Sequence, residues 1–171
     1  AQSGDTDEQD YIRIIYNKTA SLFEAACVSA AVSVEASEAY MAAARDYAVS
    51  LGLAFQIKDD ILDYAGTASV GKPLGVDILE QKITMPLLGA LKNVEVQEAD
   101  HVRGLVADIV SYPEYRDEIV AFVRDNGGVE YSRRRLHEFV EQAVKALDVL
   151  EDSPAKAYLV ELAHFTELRE N

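Results

Sequence analysis

Phe55-Gln56-Ile57-Lys58-Asp59-Asp60-Ile61-Leu62-Asp63 is the stretch on which the reading of this sequence turns. Leu51, Phe55, Leu62 and their neighbours keep helical spacing through Gly52, which places the stretch on a helix predicted from Ser37 to Tyr64. On that helix Asp59 and Asp63 are one turn apart and share a face. Asp60 adjoins the face, and Gln56 lies one turn earlier on the same side. Three carboxylates within a turn repel one another. A hard divalent cation relieves that repulsion, and Mg²⁺ commonly takes one or two carboxylates together with phosphate oxygens of a substrate. An acidic turn can also be a plain solvated face. Here the flanks are Gly52, Leu53, Ala54, Phe55, Ile57, Ile61 and Leu62, small or apolar. Carboxylates on an otherwise buried helix need a partner.

Working outward, the rest of the chain also reads as helix. Thr6 and Gln9 have capping-box spacing, so a helix is predicted to follow through about Tyr16. A second helix is expected from Asn17 to about Val34, with an alanine stripe that lets neighbours approach. Residues 66–76, with glycines at 66, 71 and 75 and Pro73, read as a loop. Asp77 is a candidate N-cap for the next helix, which Pro86 should bend or interrupt. Further helices are predicted over 95–111, 114–125, 129–149 and 154–169. Pro113, Asn126-Gly127-Gly128 and Ser153-Pro154 punctuate them. No segment alternates with period two. The expected architecture is all-α, a single helical domain over residues 1–171.

Composition narrows the function. Apolar residues make up 49% and charged residues 27%, which is globular rather than disordered. A formal charge of −14 is the wrong sign for nucleic acid, which needs clustered Lys and Arg. An acidic protein still binds phosphates when divalent cations bridge the two. Cys27 is the only cysteine, which excludes an intramolecular disulfide, and it reads as a small buried hydrophobe. No apolar run approaches membrane-spanning length and no signal-peptide pattern is seen, so stable membrane insertion is not expected and a cytoplasmic location is.

Two further elements carry chemistry. Gly71-Lys72-Pro73-Leu74-Gly75-Val76-Asp77, followed by Glu80, Lys82, Thr84 and Pro86, lies just beyond the acidic turn. Lys72 sits on a glycine-bearing loop and Lys82 on the helix after it. Two ammonium groups beside a carboxylate–metal cluster suit a diphosphate. Solvated surface lysines are the plainer alternative. Tyr16-Asn17-Lys18-Thr19-Ala20-Ser21-Leu22-Phe23 places Lys18 at the head of a small-residue helix, where it could equally snorkel.

Together, in this order, these elements resemble the trans-polyprenyl diphosphate synthases of the polyprenyl synthetase family (octaprenyl, heptaprenyl and geranylgeranyl types). Gly127-Gly128-Val129-Glu130-Tyr131 and Ser153-Pro154-Ala155-Lys156 are also similar to long-chain members. The resemblance covers essentially the whole chain and implies the C-terminal part of the isoprenoid synthase helical bundle. It implies a prenyltransferase with Mg²⁺ as cofactor. Asp59 would be a direct Mg²⁺ ligand, with Asp60 and Asp63 completing the second aspartate-rich motif directly or through water. Lys18 and Lys72 would contact an allylic diphosphate and Lys82 would support it. Thr19 and Gln56 would lie near the developing allylic cation. The implied substrates are an allylic prenyl diphosphate and isopentenyl diphosphate, and the intact enzyme is expected to be a homodimer.

The sequence also departs from the family. A full member carries a first aspartate-rich motif on an earlier helix, followed by arginines. No second D-D-x-x-D occurs here, and Arg133-Arg134-Arg135 lies far downstream on what reads as a helix surface. The chain is therefore expected to be the C-terminal half of such an enzyme, inactive alone. A non-catalytic accessory subunit of a heteromeric synthase is the alternative, disfavoured because the three aspartates and three lysines are all kept. A class I terpene cyclase would carry an N-D-x-x-[ST]-x-x-x-E motif, which is absent.

Overall fold

A computed structural model describes residues 6–65 and 75–169, and among them there is no strand. Helix α1 spans Glu8–Ile15. Its side-chain cap is Asp7, whose carboxylate accepts from the Asp10 N–H at 2.7 Å, instead of the expected capping box of Thr6 and Gln9. A short carboxylate reaches an orphan N–H of the first turn and favours the positive end of the helix. The chain does not restart at Asn17 as expected. A π-helical turn, Tyr16–Ala20, runs directly into α2, Ser21–Ser33. Helix α3, Glu38–Ala65, is unbroken for 28 residues.

Gly52 does not interrupt α3, because its role is steric. A Cβ at this position would stand 2.6 Å from the Ala20 Cα. The missing side chain is what lets α3 and the π-helical turn meet backbone to backbone.

From Gly75 onward the expected single, bent helix is two short ones. Gly75, in the left-handed region at φ 74°, caps α4, Val76–Leu79. The cap is thus Gly75 and not Asp77, since the chain must reverse where only glycine is comfortable. Helix α4 ends after one turn because Gln81 also turns left-handed, at φ 57°, and the Lys82 N–H closes back on the Asp77 carbonyl at 2.9 Å. Pro86 then falls in the first turn of α5, Met85–Leu91, where its missing N–H removes no bond. Helices α6 (Val96–Asp108), α7 (Tyr115–Asp125), α8 (Gly128–Ala146, continued by a 3₁₀ turn at Leu147–Val149) and α9 (Pro154–Leu168) complete the chain. Ser153 caps α9 by accepting the Lys156 N–H at 3.2 Å.

The residues group into two compact units, Ala1–Tyr11 with Asp59–Arg134, and Ile12–Lys58 with Arg135–Asn171. In the first, α5 is buried along its whole length, as a helix apolar on every side must be. It packs on α7, which packs on α6. Val102 and Val106 of α6 and Ile119 and Val123 of α7 are buried with it. In the second unit, Tyr47, Ala48, Leu51, Ala54 and Ile57 form the buried stripe of α3, and Leu136, Phe139, Val140 and Ala143 that of α8. Helix α2 has no buried residue at all despite its apolar composition, and Cys27 on it is a half-buried free thiol. No helix among the described residues is long and apolar enough to cross a membrane.

Candidate functional site

Helix α3 carries Gln56, Asp59, Asp60 and Asp63 in consecutive turns. The three aspartates do not share one environment. Asp60 is 3% exposed and accepts a hydrogen bond from the phenol of Tyr11 at 2.6 Å, Tyr11 being equally buried on α1. Burial, Asp60's charge and this hydrogen bond hold the Tyr11 phenol well above its usual range. The pair is therefore a neutral phenol donating to a carboxylate, a short charge-assisted bond.

Asp63 faces the start of α4. Its two carboxylate oxygens accept the N–H groups of Val76 and Asp77, each at 3.1 Å, and its backbone carbonyl accepts the Gly75 N–H at 2.9 Å. Burial raises the Asp63 carboxyl from its ordinary value, partly offset by the N–H groups of Asp77 and Val76 and by Lys82. Asp59 is half-buried.

Lys82 lies beside this turn, but its ammonium is held by neighbours. It pairs with Asp77 at 3.0 Å and more closely with Glu80. Those two carboxylates, Glu80 foremost, push Lys82 up to about 12. Lys72 lies outside the described residues.

In the other unit, Lys18 and Thr19 sit within the π-helical turn. Such turns insert one residue into a helix and re-aim the side chains beside it. Lys18 is exposed. The Thr19 hydroxyl donates to the side-chain oxygen of Gln56 at 2.8 Å, and Gln56 is 6% exposed. The structure thus brings Thr19 to Gln56, and ties Asp60 to Tyr11 and Asp63 to the segment that leads to Lys82.

Sequence reasoning missed three of these partners. Tyr11 offered only a weak signal: it precedes Ile15 by one turn, so a hydroxyl stands on an apolar stripe and needs an acceptor somewhere. Lys58, next to the acidic turn, is 7% exposed and donates to the Glu167 carbonyl at 2.7 Å. Arg169 returns the contact, donating to the Phe55 carbonyl at 2.9 Å with its guanidinium 3.9 Å from the Phe55 ring centre. The end of α9 is thereby clasped to α3 by two cations.

The magnesium expected from the motif needs oxygen donors. Among the described residues no three His, Cys, Asp or Glu side chains converge as a metal-holding group. A self-sufficient cage is therefore not built from them. The half-buried Asp59 does fit the mode in which one carboxylate and substrate phosphates share a magnesium that keeps several waters.

The family model described as polyprenyl synthetase matches residues 1–120. Octaprenyl diphosphate synthase of Haemophilus influenzae is 38% identical over 163 residues, which is 95% of this chain and 49% of that protein. Among solved structures, a decaprenyl diphosphate synthase from Rhodobacter capsulatus superposes with a TM-score of 0.86 at 33% identity. That match covers all of this chain and 53% of the other. A polyprenyl synthase from Caulobacter crescentus, complexed with calcium and isoprenyl diphosphate, superposes at 0.85 with 31% identity, covering 99% and 53%. The chain spans about half the length of the relatives it matches.

Proposed function

This chain belongs to the polyprenyl synthetase family, and from that premise we propose that it serves prenyl chain elongation as the half bearing the second aspartate-rich motif. The observation that carries the proposal is the family match over residues 1–120, a span that contains every candidate residue. The substrates are an allylic prenyl diphosphate and isopentenyl diphosphate. The reaction breaks the allylic carbon–oxygen bond, alkylates the isopentenyl double bond and ends with loss of a proton to the departing diphosphate.

Each residue has a chemical task in that scheme. Lys18 and Lys72 receive the negative charge that gathers on the leaving diphosphate, and Lys82 supports them through its Asp77 partner. Thr19 and Gln56, locked together by their hydrogen bond, present neutral dipoles to the allylic cation. They stabilise positive charge without being nucleophilic enough to capture it. Asp59 would hold the magnesium, with Asp60 and Asp63 beside it on the acidic turn. Magnesium, when bound, supplies Lewis-acid neutralisation of the diphosphate. The intact enzyme works as a homodimer in the cytoplasm.

Equilibrium binding of an allylic diphosphate tests this reading. The protein should bind it in the presence of Mg²⁺, and both EDTA and Asp59→Asn should abolish binding. A folded protein that shows no Mg²⁺-dependent binding would refute the proposal. Mixed with both diphosphates and Mg²⁺, the 171-residue chain alone should yield no lengthened product, because it holds one acidic motif. Product formation would overturn the half-site reading.

A further inference from the structure

We infer that Asp63 is a positioning residue, which fastens residues 75–77 to α3 and so sets the place of Asp77 and Lys82, and that it does not itself meet the metal–diphosphate. The inference rests on the proposed function for what is positioned, while the fastening stands on hydrogen bonds alone.

Three consecutive backbone N–H groups converge on this one residue. Gly75 donates to its carbonyl, and Val76 and Asp77 donate to its two carboxylate oxygens. Val76 and Asp77 open α4, where N–H groups have no partner within the helix. The residue in the N-cap position is Gly75, which has no side chain to offer them. Asp63 therefore supplies from α3 the cap that α4 lacks.

The fastening continues to the lysine. Asp77, held by its N–H, gives its carboxylate to the Lys82 ammonium and its carbonyl to the Lys82 N–H. Both oxygens of Asp63 are committed to this scaffold. Drawing either toward a cation would strip an N–H of its acceptor and loosen the segment that carries Asp77.

Amide hydrogen exchange and Mn²⁺ binding with inorganic diphosphate, followed by electron paramagnetic resonance, decide the matter. In Asp63→Ala the Val76 and Asp77 amides should exchange about tenfold faster or more, with or without metal. Asp63→Asn, which keeps one oxygen acceptor, should restore part of the protection and leave Mn²⁺–diphosphate affinity within about threefold. Asp59→Asn should lower that affinity more than about tenfold. Should Asp63→Ala fail to fold, Asp63→Asn carries both readouts against wild type. Unchanged exchange at Val76 and Asp77, or an affinity loss in Asp63→Asn as steep as in Asp59→Asn, would overturn the inference. If wild type binds no Mn²⁺–diphosphate, the functional reading falls, and the exchange rates still decide the anchoring.

Discussion

Replacing Gly52 by alanine puts the packing of α3 on the π-helical turn to a quantitative test. Two effects of opposite sign meet at this position. Alanine is the better helix former, by about 1 kcal/mol over glycine in a helix interior. The new Cβ, however, would lie 2.6 Å from the Ala20 Cα and 2.9 Å from its Cβ, and both atoms belong to a buried residue that cannot swing aside. Overpacking costs typically about 1–3 kcal/mol, and contact with backbone belongs at the upper end. The net expectation is a loss of about 2 kcal/mol, a fall in melting temperature of about 4–8 °C for a chain of this size. Gly104, in the middle of α6, is the internal control, because a Cβ there meets nothing within 4 Å. Gly104→Ala should raise the melting temperature by about 2–4 °C. Thermal melts of both variants by far-UV circular dichroism make the comparison. A Gly52→Ala protein that melts at or above wild type would show that α3 and the turn do not touch as described.

Tyr11→Phe removes the donor to Asp60 and should cost about 1.5–3 kcal/mol, the range for a hydrogen bond to a charged group, in urea unfolding at neutral pH. The buried phenols of Tyr11, Tyr47 (pushed up to about 12) and Tyr64 keep their protons to higher pH in the folded protein than in the unfolded chain. Their contribution to stability is thus full below about pH 10 and is lost as the pH rises toward their folded values. Stability should fall above about pH 10, less steeply in Tyr11→Phe, and a flat wild-type profile there would contradict the burial. Arg169→Ala should speed exchange of the Arg169 amide, which donates to the Phe165 carbonyl, by about tenfold by freeing the end of α9. Thr19→Val removes the hydroxyl that donates to the Gln56 oxygen and should lose about 1–2 kcal/mol, and Thr19→Ser should recover most of it.

The helical class was legible because it is written in short-range terms. Alanine, leucine and glutamate are plentiful, and Pro and Gly sit at the joints, so α6 to α9 fall close to their predicted spans. Misreadings cluster where a distant residue decides the backbone. Nothing in Tyr16-Asn17-Lys18-Thr19-Ala20 announces a π-helical turn, and the room for its Ala20 is left by Gly52, far along the chain. Likewise Asp77 is a sound N-cap by type. It loses the position to Gly75 because the chain must turn left-handed there, and because Asp63 already supplies the cap from α3.

The same distinction explains how far the acidic turn could be read. Spacing along a helix fixes which side chains share a face, and on that ground Asp59, Asp60 and Asp63 look equivalent. It does not fix what stands opposite each one. Asp60 meets a phenol 49 residues away, and Asp63 meets amides 13 and 14 residues on. Repulsion among three carboxylates, the reason for expecting a cation, is thus already reduced before any metal arrives, by one hydroxyl and two N–H groups.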